Sequence, residues 1–92
     1  MPESNHPYKV GENYFIRTVT FHYTGRLVAV YDHELVLKTA AWIAVDGRFS
    51  DTLAKGTYNE VEPYPEDTEV IIGRGSVVDA CVILHPLPTV QK

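Results

Sequence analysis

Residues 25–40 read as two apolar strands folded back on each other, and that pairing confines the chain to β architectures more firmly than any other feature. Gly25-Arg26-Leu27-Val28-Ala29-Val30-Tyr31-Asp32 enters a strand through glycine and leaves it through an acidic turn. Asp32-His33 suits the turn, because aspartate bonds its own backbone and tolerates turn geometry. The next strand runs from Glu34 to Ala44 and carries Leu35, Val36, Leu37 and Trp42. Its Leu-Lys-Thr-Ala-Ala-Trp portion would also permit a helix, but it lacks caps and its neighbours in sequence are strands. Thr24-Gly25 predicts the preceding turn, with Gly25 free to take a positive φ. Upstream, Tyr14 to His22 is rich in the β-branched and aromatic residues that pack well on a pleated surface. In that strand Phe15, Val19 and Phe21 share a face with Arg17. A second hairpin follows near the end: Val70-Ile71-Ile72, a Gly73-Arg74-Gly75-Ser76 turn, then Val77 to Leu84. Pro86 and Pro88 end the sheet, since proline cannot donate to a ladder.

The rest of the chain punctuates this pattern. Residues 1–13 form an irregular lead-in broken by Pro2, Pro7 and Gly11, with the character of neither a signal peptide nor a lipidation site. Residues 45–68 are an insertion and loop: Phe49 and Leu53, four apart, predict a short helix over 47–56, and Thr57 to Thr68 is polar and proline-bearing. Residues 85–92 are a tail. With 92 residues the chain is expected to be a single domain, small enough that partner subunits are a common remedy for a thin core. The expected core comprises Ile16, Val19, Leu27, Val30, Leu37, Ile71, Val77 and Val82. No apolar run reaches membrane-spanning length. One cysteine, Cys81, excludes an internal disulfide and favours a reducing compartment such as the cytoplasm.

The order of these strands and the Arg-Gly step at the tip of the second hairpin resemble the bipartite motif of Sm and Sm-like (LSm) proteins. The resemblance covers roughly residues 14–43 and 69–84. It implies a five-stranded, strongly bent antiparallel barrel of the small SH3-like kind, the Sm-like fold, here with a short helical insertion between strands three and four. It implies a homo-oligomeric ring of five to seven copies, in which strand four of one subunit pairs with strand five of the next. It also implies a pore, lined by the turns that carry Tyr31, Asp32, His33 and Glu34 on one side and Gly73, Arg74 and Gly75 on the other, where RNA or another single-stranded nucleic acid is bound. In that scheme Arg74 matches the family's arginine and Asp32 its turn aspartate, and Tyr31 or His33 supplies a stacking surface. The family's base-reading asparagine falls at Glu34, an acid. The compact, divergent sequence looks like Sm-like proteins from phage and environmental bacteria.

Enzymatic signals are absent. The four histidines lie far apart, no Cys-x-x-Cys or His-x-x-x-His pairing exists to hold zinc, and Gly73-Arg74-Gly75 is too short for a phosphate loop. No catalytic residue, metal site or cofactor is expected, and no membrane partner. A net charge of −4 works against generic nucleic-acid binding, which wants a basic surface. A second reading therefore stands beside the first: a purely structural oligomeric scaffold, such as a phage-particle component, with Arg74 a turn arginine paired to Asp79 or Asp32. A small enzyme or metabolite-binding barrel is a third, suggested by the insertion alone.

Overall fold

The computed structural model describes residues 6–45 and 60–90. They form an all-β molecule of six antiparallel strands. These are β1 (Asn13–Thr18), β2 (His22–Val30), β3 (Glu34–Val45), β4 (Glu60–Pro63), β5 (Val70–Gly73) and β6 (Val77–Val82), with one 3-10 turn at Arg74–Ser76 between the last two. The order across the sheet is β4-β3-β2-β1-β6, and β5 pairs with β3 beyond β4.

The additional strand, β4, lies in the segment expected to be loop. It forms because β3 is longer than its partner β5: Glu34–Leu37 pair with β5, and Ala41–Val45 pair with β4. β4 and β5 are thus two halves of one interrupted strand along β3. Between the halves, Lys38–Ala40 on β3 lie opposite the longer Tyr64–Glu69 excursion. The Tyr64 amide donates to the Ala40 carbonyl at 2.9 Å, which holds the excursion to the sheet. The helix expected over 47–56 lies outside the described residues.

A β-bulge interrupts the β2–β3 pairing where Gly25 sits, the feature that bends a strand. The register shifts there, with Thr24 opposite Ala41 and Arg26 opposite Lys38, and Thr39 on the partner strand takes φ 52°. Gly25 is therefore inside β2 and not at a turn, and its backbone is not in the left-handed region. Glycine is needed for room: a Cβ would stand 3.0 Å from Leu37 Cβ and 3.3 Å from Ala40 Cα. The turn expected at Thr24-Gly25 falls earlier, at Val19–Phe21. There the Thr18 hydroxyl donates to the Phe21 carbonyl at 2.6 Å and accepts from the Phe21 amide at 2.9 Å.

Bending gives the sheet two covered faces. The concave face holds Tyr14, Ile16, Leu27, Leu35, Leu37, Ala40, Val70 and Ile72. A smaller cluster, Phe15, Ala41, Ile43, Val61 and Ile83, is partly covered by Leu87 from the tail. Of the expected core, Ile16, Leu27 and Leu37 are fully buried, and Val30 and Val77 pack half-buried against the concave cluster. Three expectations are corrected. Val19 is 73% exposed because β1 ends at Thr18 and leaves it on the turn. Ile71 is 66% exposed because the alternation of β5 points Val70 and Ile72 inward instead. Val82 is partly exposed on β6, which among the described residues pairs with β1 alone.

No pairing joins β5 to β6 among the described residues, so the sheet is bent but not closed. Gly25→Ala is expected to destabilise the protein by about 1–3 kcal/mol, because Leu37 is fully buried and cannot give way. Gly75→Ala meets nothing within 4 Å and is expected to stay within about 0.5 kcal/mol. Urea denaturation of the two variants checks both, and equal midpoints would contradict the close-contact role of Gly25.

Candidate nucleic-acid interface

The two turns singled out by the sequence meet in space. The short β2–β3 turn brings Tyr31, Asp32 and His33 to the end of the hairpin, and the 3-10 turn after β5 is laid against it because β5 pairs with the first residues of β3. The Arg74 amide donates to the His33 carbonyl at 2.8 Å, which continues the ladder past Gly73. The Arg74 guanidinium then reaches back, with Nη1 donating to the Tyr31 carbonyl at 2.7 Å and, more weakly, to the Asp32 carbonyl at 3.4 Å. One arginine thereby locks both turns, and its side chain is half-buried in doing so.

The partner of Arg74 is a pair of carbonyls and not an acid. Asp79, offered by the sequence as an alternative partner, is taken by Arg17 from the neighbouring strand in a two-point ion pair. That hydrogen-bonded guanidinium holds the Asp79 carboxyl below its ordinary range. Asp32 engages Arg74 through its backbone, leaving the carboxylate exposed.

Tyr31, Asp32, His33 and Glu34 are all exposed at this end of the molecule. Gly73 and Gly75 flank Arg74 with open space where a side chain would stand. The arrangement offers a fixed guanidinium, exposed aromatic rings on the adjoining turn, and two carboxylates. It can stack on and hydrogen-bond a planar ligand, while Asp32 and Glu34 oppose phosphate at close range.

Tyr8 is the contributor that sequence reading missed. Its ring lies under the guanidinium, 5.6 Å from ring centroid to Arg74 Cζ. It stacks edge-on against Tyr14, with centroids 6.1 Å apart. The lead-in is held to the body by this contact and by Gly11 donating to the Leu27 carbonyl at 2.7 Å. Tyr8, Asp32, Arg74, Gly75 and Val78 line a groove of about 640 Å³ beside β6, whose outer edge pairs with no strand among the described residues. An aromatic residue within an otherwise polar lead-in was the only available signal, and nothing in spacing connects it to Arg74.

Comparison with protein-family models, curated proteins and solved structures finds no match. Among the described residues no cluster of histidine, cysteine and carboxylate side chains could hold a metal ion, and no helix is long and apolar enough to cross a membrane.

Cys81 lies on β6 two residues from Asp79. Burial, reinforced by the Asp79 carboxylate and opposed by Arg17, pushes its thiol up. Only the thiolate is nucleophilic, so at neutral pH Cys81 is expected to alkylate more slowly than an unstructured cysteine peptide, with its rate rising at higher pH. Iodoacetamide kinetics across pH 7 to 10 check this, and a rate equal to that of the peptide at pH 7 would contradict it.

Proposed function

We propose that the chain is an Sm-like protein that assembles edge to edge into a homo-oligomeric ring of five to seven copies and presents the Tyr31–Glu34 and Arg74 turns to RNA or another single-stranded nucleic acid. The observation that carries this reading is the open sheet, which among the described residues has two unlike unpaired edges. β4 is protected: Glu60 and Glu62 are exposed along it and Pro63 ends it, the usual devices against edge pairing. β5 and β6 are not protected in this way. Ile71 and Val78 are both more than 60% exposed, no proline interrupts either strand, and their one charge, Asp79, is neutralised by Arg17. Backbone donors and acceptors on two different edges form a heterologous contact when one edge of a copy meets the other edge of the next, and such contacts repeat until the rotation closes. Each join would cover Ile71 and Val78, with a favourable contribution of about 25 cal/mol per Å² of apolar surface removed from water.

The nucleic-acid part of the reading rests on the meeting of Arg74 with the Tyr31–His33 turn. Arg74 keeps donors beyond Nη1 for a ligand, and exposed rings stand on the turn that fixes it. The scaffold reading draws support from the same place: two backbone carbonyls and the Tyr8 ring already engage the guanidinium, and Asp32 and Glu34 make the rim acidic.

Two measurements test the proposal. Light scattering at micromolar concentration is expected to give the mass of a closed ring. Val78→Lys, which places a charge on the free edge of β6, is expected to shift it toward monomer, and a monomeric wild type would sink the assembly. Fluorescence anisotropy with short uridine- and adenine-rich RNA is expected to show binding that weakens with salt and weakens by about 1–3 kcal/mol in Arg74→Ala. Glu34→Asn is expected to strengthen it by removing a like charge and adding an edge-reading amide. No binding at low salt by either the wild type or Glu34→Asn leaves the scaffold reading in possession.

A further inference from the structure

The end of the hairpin remote from Arg74 carries a second concave site. Phe21 from the β1–β2 turn, Tyr23 on β2, Trp42 on β3 and Tyr64 after β4 line a groove of about 490 Å³, with Glu62 on its wall. That volume lies within the range of small-molecule sites.

Each ring is held by something other than its neighbours' bulk. Tyr23 faces Trp42 directly across the β2–β3 ladder, and Trp42 faces Glu62 across the β3–β4 ladder. The Phe21 and Trp42 rings stand 5.4 Å apart at 75°, so they present two nearly perpendicular walls. Tyr64 is fixed through its amide to Ala40, and burial, reinforced by the neighbouring Tyr64 phenol, pushes the Tyr23 hydroxyl above its ordinary range. Phe21 is nonetheless 46% exposed, which leaves part of its ring open to a ligand.

Chemistry narrows the ligand. The described residues lining the groove include a carboxylate and no lysine or arginine. The adjoining stretch Glu60–Glu69 contains five acids and no basic residue. Ring faces carry negative quadrupole charge. All three contributions favour a cation and disfavour phosphate. A sugar would bring many hydroxyls to a wall made mostly of aromatic rings and two prolines, leaving donors unmatched. A cation wrapped in methyl groups brings no donor that needs a partner and gains from every ring face.

We propose that the Phe21–Tyr23–Trp42–Tyr64 groove is an aromatic cage for an alkylated organic cation, a quaternary ammonium group. It is separate from the Arg74 rim and independent of whether that rim binds nucleic acid.

Trp42 is the only tryptophan in the chain, so its emission reports on the cage without a label. The probes are choline, its uncharged carbon isostere 3,3-dimethylbutanol, and a short peptide bearing trimethyllysine. Choline is expected to shift Trp42 emission saturably and to bind on the order of tenfold more tightly than the isostere. Tighter binding of the peptide would assign the cation to a protein side chain, and equal binding would assign it to a free small molecule. Equal binding of choline and the isostere would reduce the groove to an apolar surface and overturn the proposal, as would no response to either cation. Phe21→Leu keeps apolar bulk at a half-exposed position but removes one ring face. It is expected to retain the wild-type far-ultraviolet dichroism and to lose most of the preference for choline over the isostere. A preference that survives in folded Phe21→Leu and also in Tyr64→Leu would overturn the cage.

Discussion

The contact of Gly25 with Leu37 and Ala40 governs the geometry of everything else. β3 is the spine of the molecule, paired with β2 on one side and with β4 and β5 on the other. If β2 and β3 ran flat, Leu37 and Leu27 would lie on an open surface. With no side chain at Gly25, β3 closes onto β2 and turns its first half across the concave face. That turn brings the start of β3 to β5, and through β5 carries the Arg74 corner against the β2–β3 turn. A methyl group at position 25 acts directly on the core and only through it on the Arg74 rim.

The same bend leaves the sheet short of closure. A barrel that closes on itself removes its edges, whereas this sheet ends, among the described residues, in β4 and β5 along one side and β6 on the other. The edges are treated differently by the sequence: two acids and one proline lie in β4, and aliphatic residues line β5 and β6. That asymmetry is the physical basis for expecting self-association along one direction only. The ion pair of Arg17 with Asp79 sits on the exposed side of the β1–β6 pair, where it removes the only charge that would otherwise guard β6.

Both concave sites use side chains from well-separated parts of the chain, at opposite ends of one hairpin. The Arg74 rim is assembled by backbone hydrogen bonds between two tight turns, and Tyr8 is added from the lead-in. The aromatic groove is assembled by register: Tyr23 meets Trp42 because β2 and β3 pair where they do. A one-residue slip would turn Trp42 to the opposite face and dismantle it.

Strand content and the positions of the β2–β3 and β5–β6 turns were legible in the sequence, because β-branched alternation and turn residues act locally. The burial of Ile16, Leu27 and Leu37 followed from the same alternation. What failed were statements needing a partner strand. Val19, Ile71 and Val82 are apolar and sit in apolar runs, but their exposure depends on where β1 ends and on which edges remain open. β4 was hidden because Glu60-Val61-Glu62-Pro63 has little strand character of its own and is recruited by the unpaired end of β3. Gly25 was visible as a glycine but misread, since one residue type serves both a left-handed turn and a close approach. The sequence by itself determined five of the six strands and the β2–β3 and β5–β6 turns, through steric and solvation preferences that act over a few residues. Tertiary structure alone decided which glycine makes the bend, which edges stay open and which side chains converge at the two sites, because those depend on contacts between residues far apart in the chain.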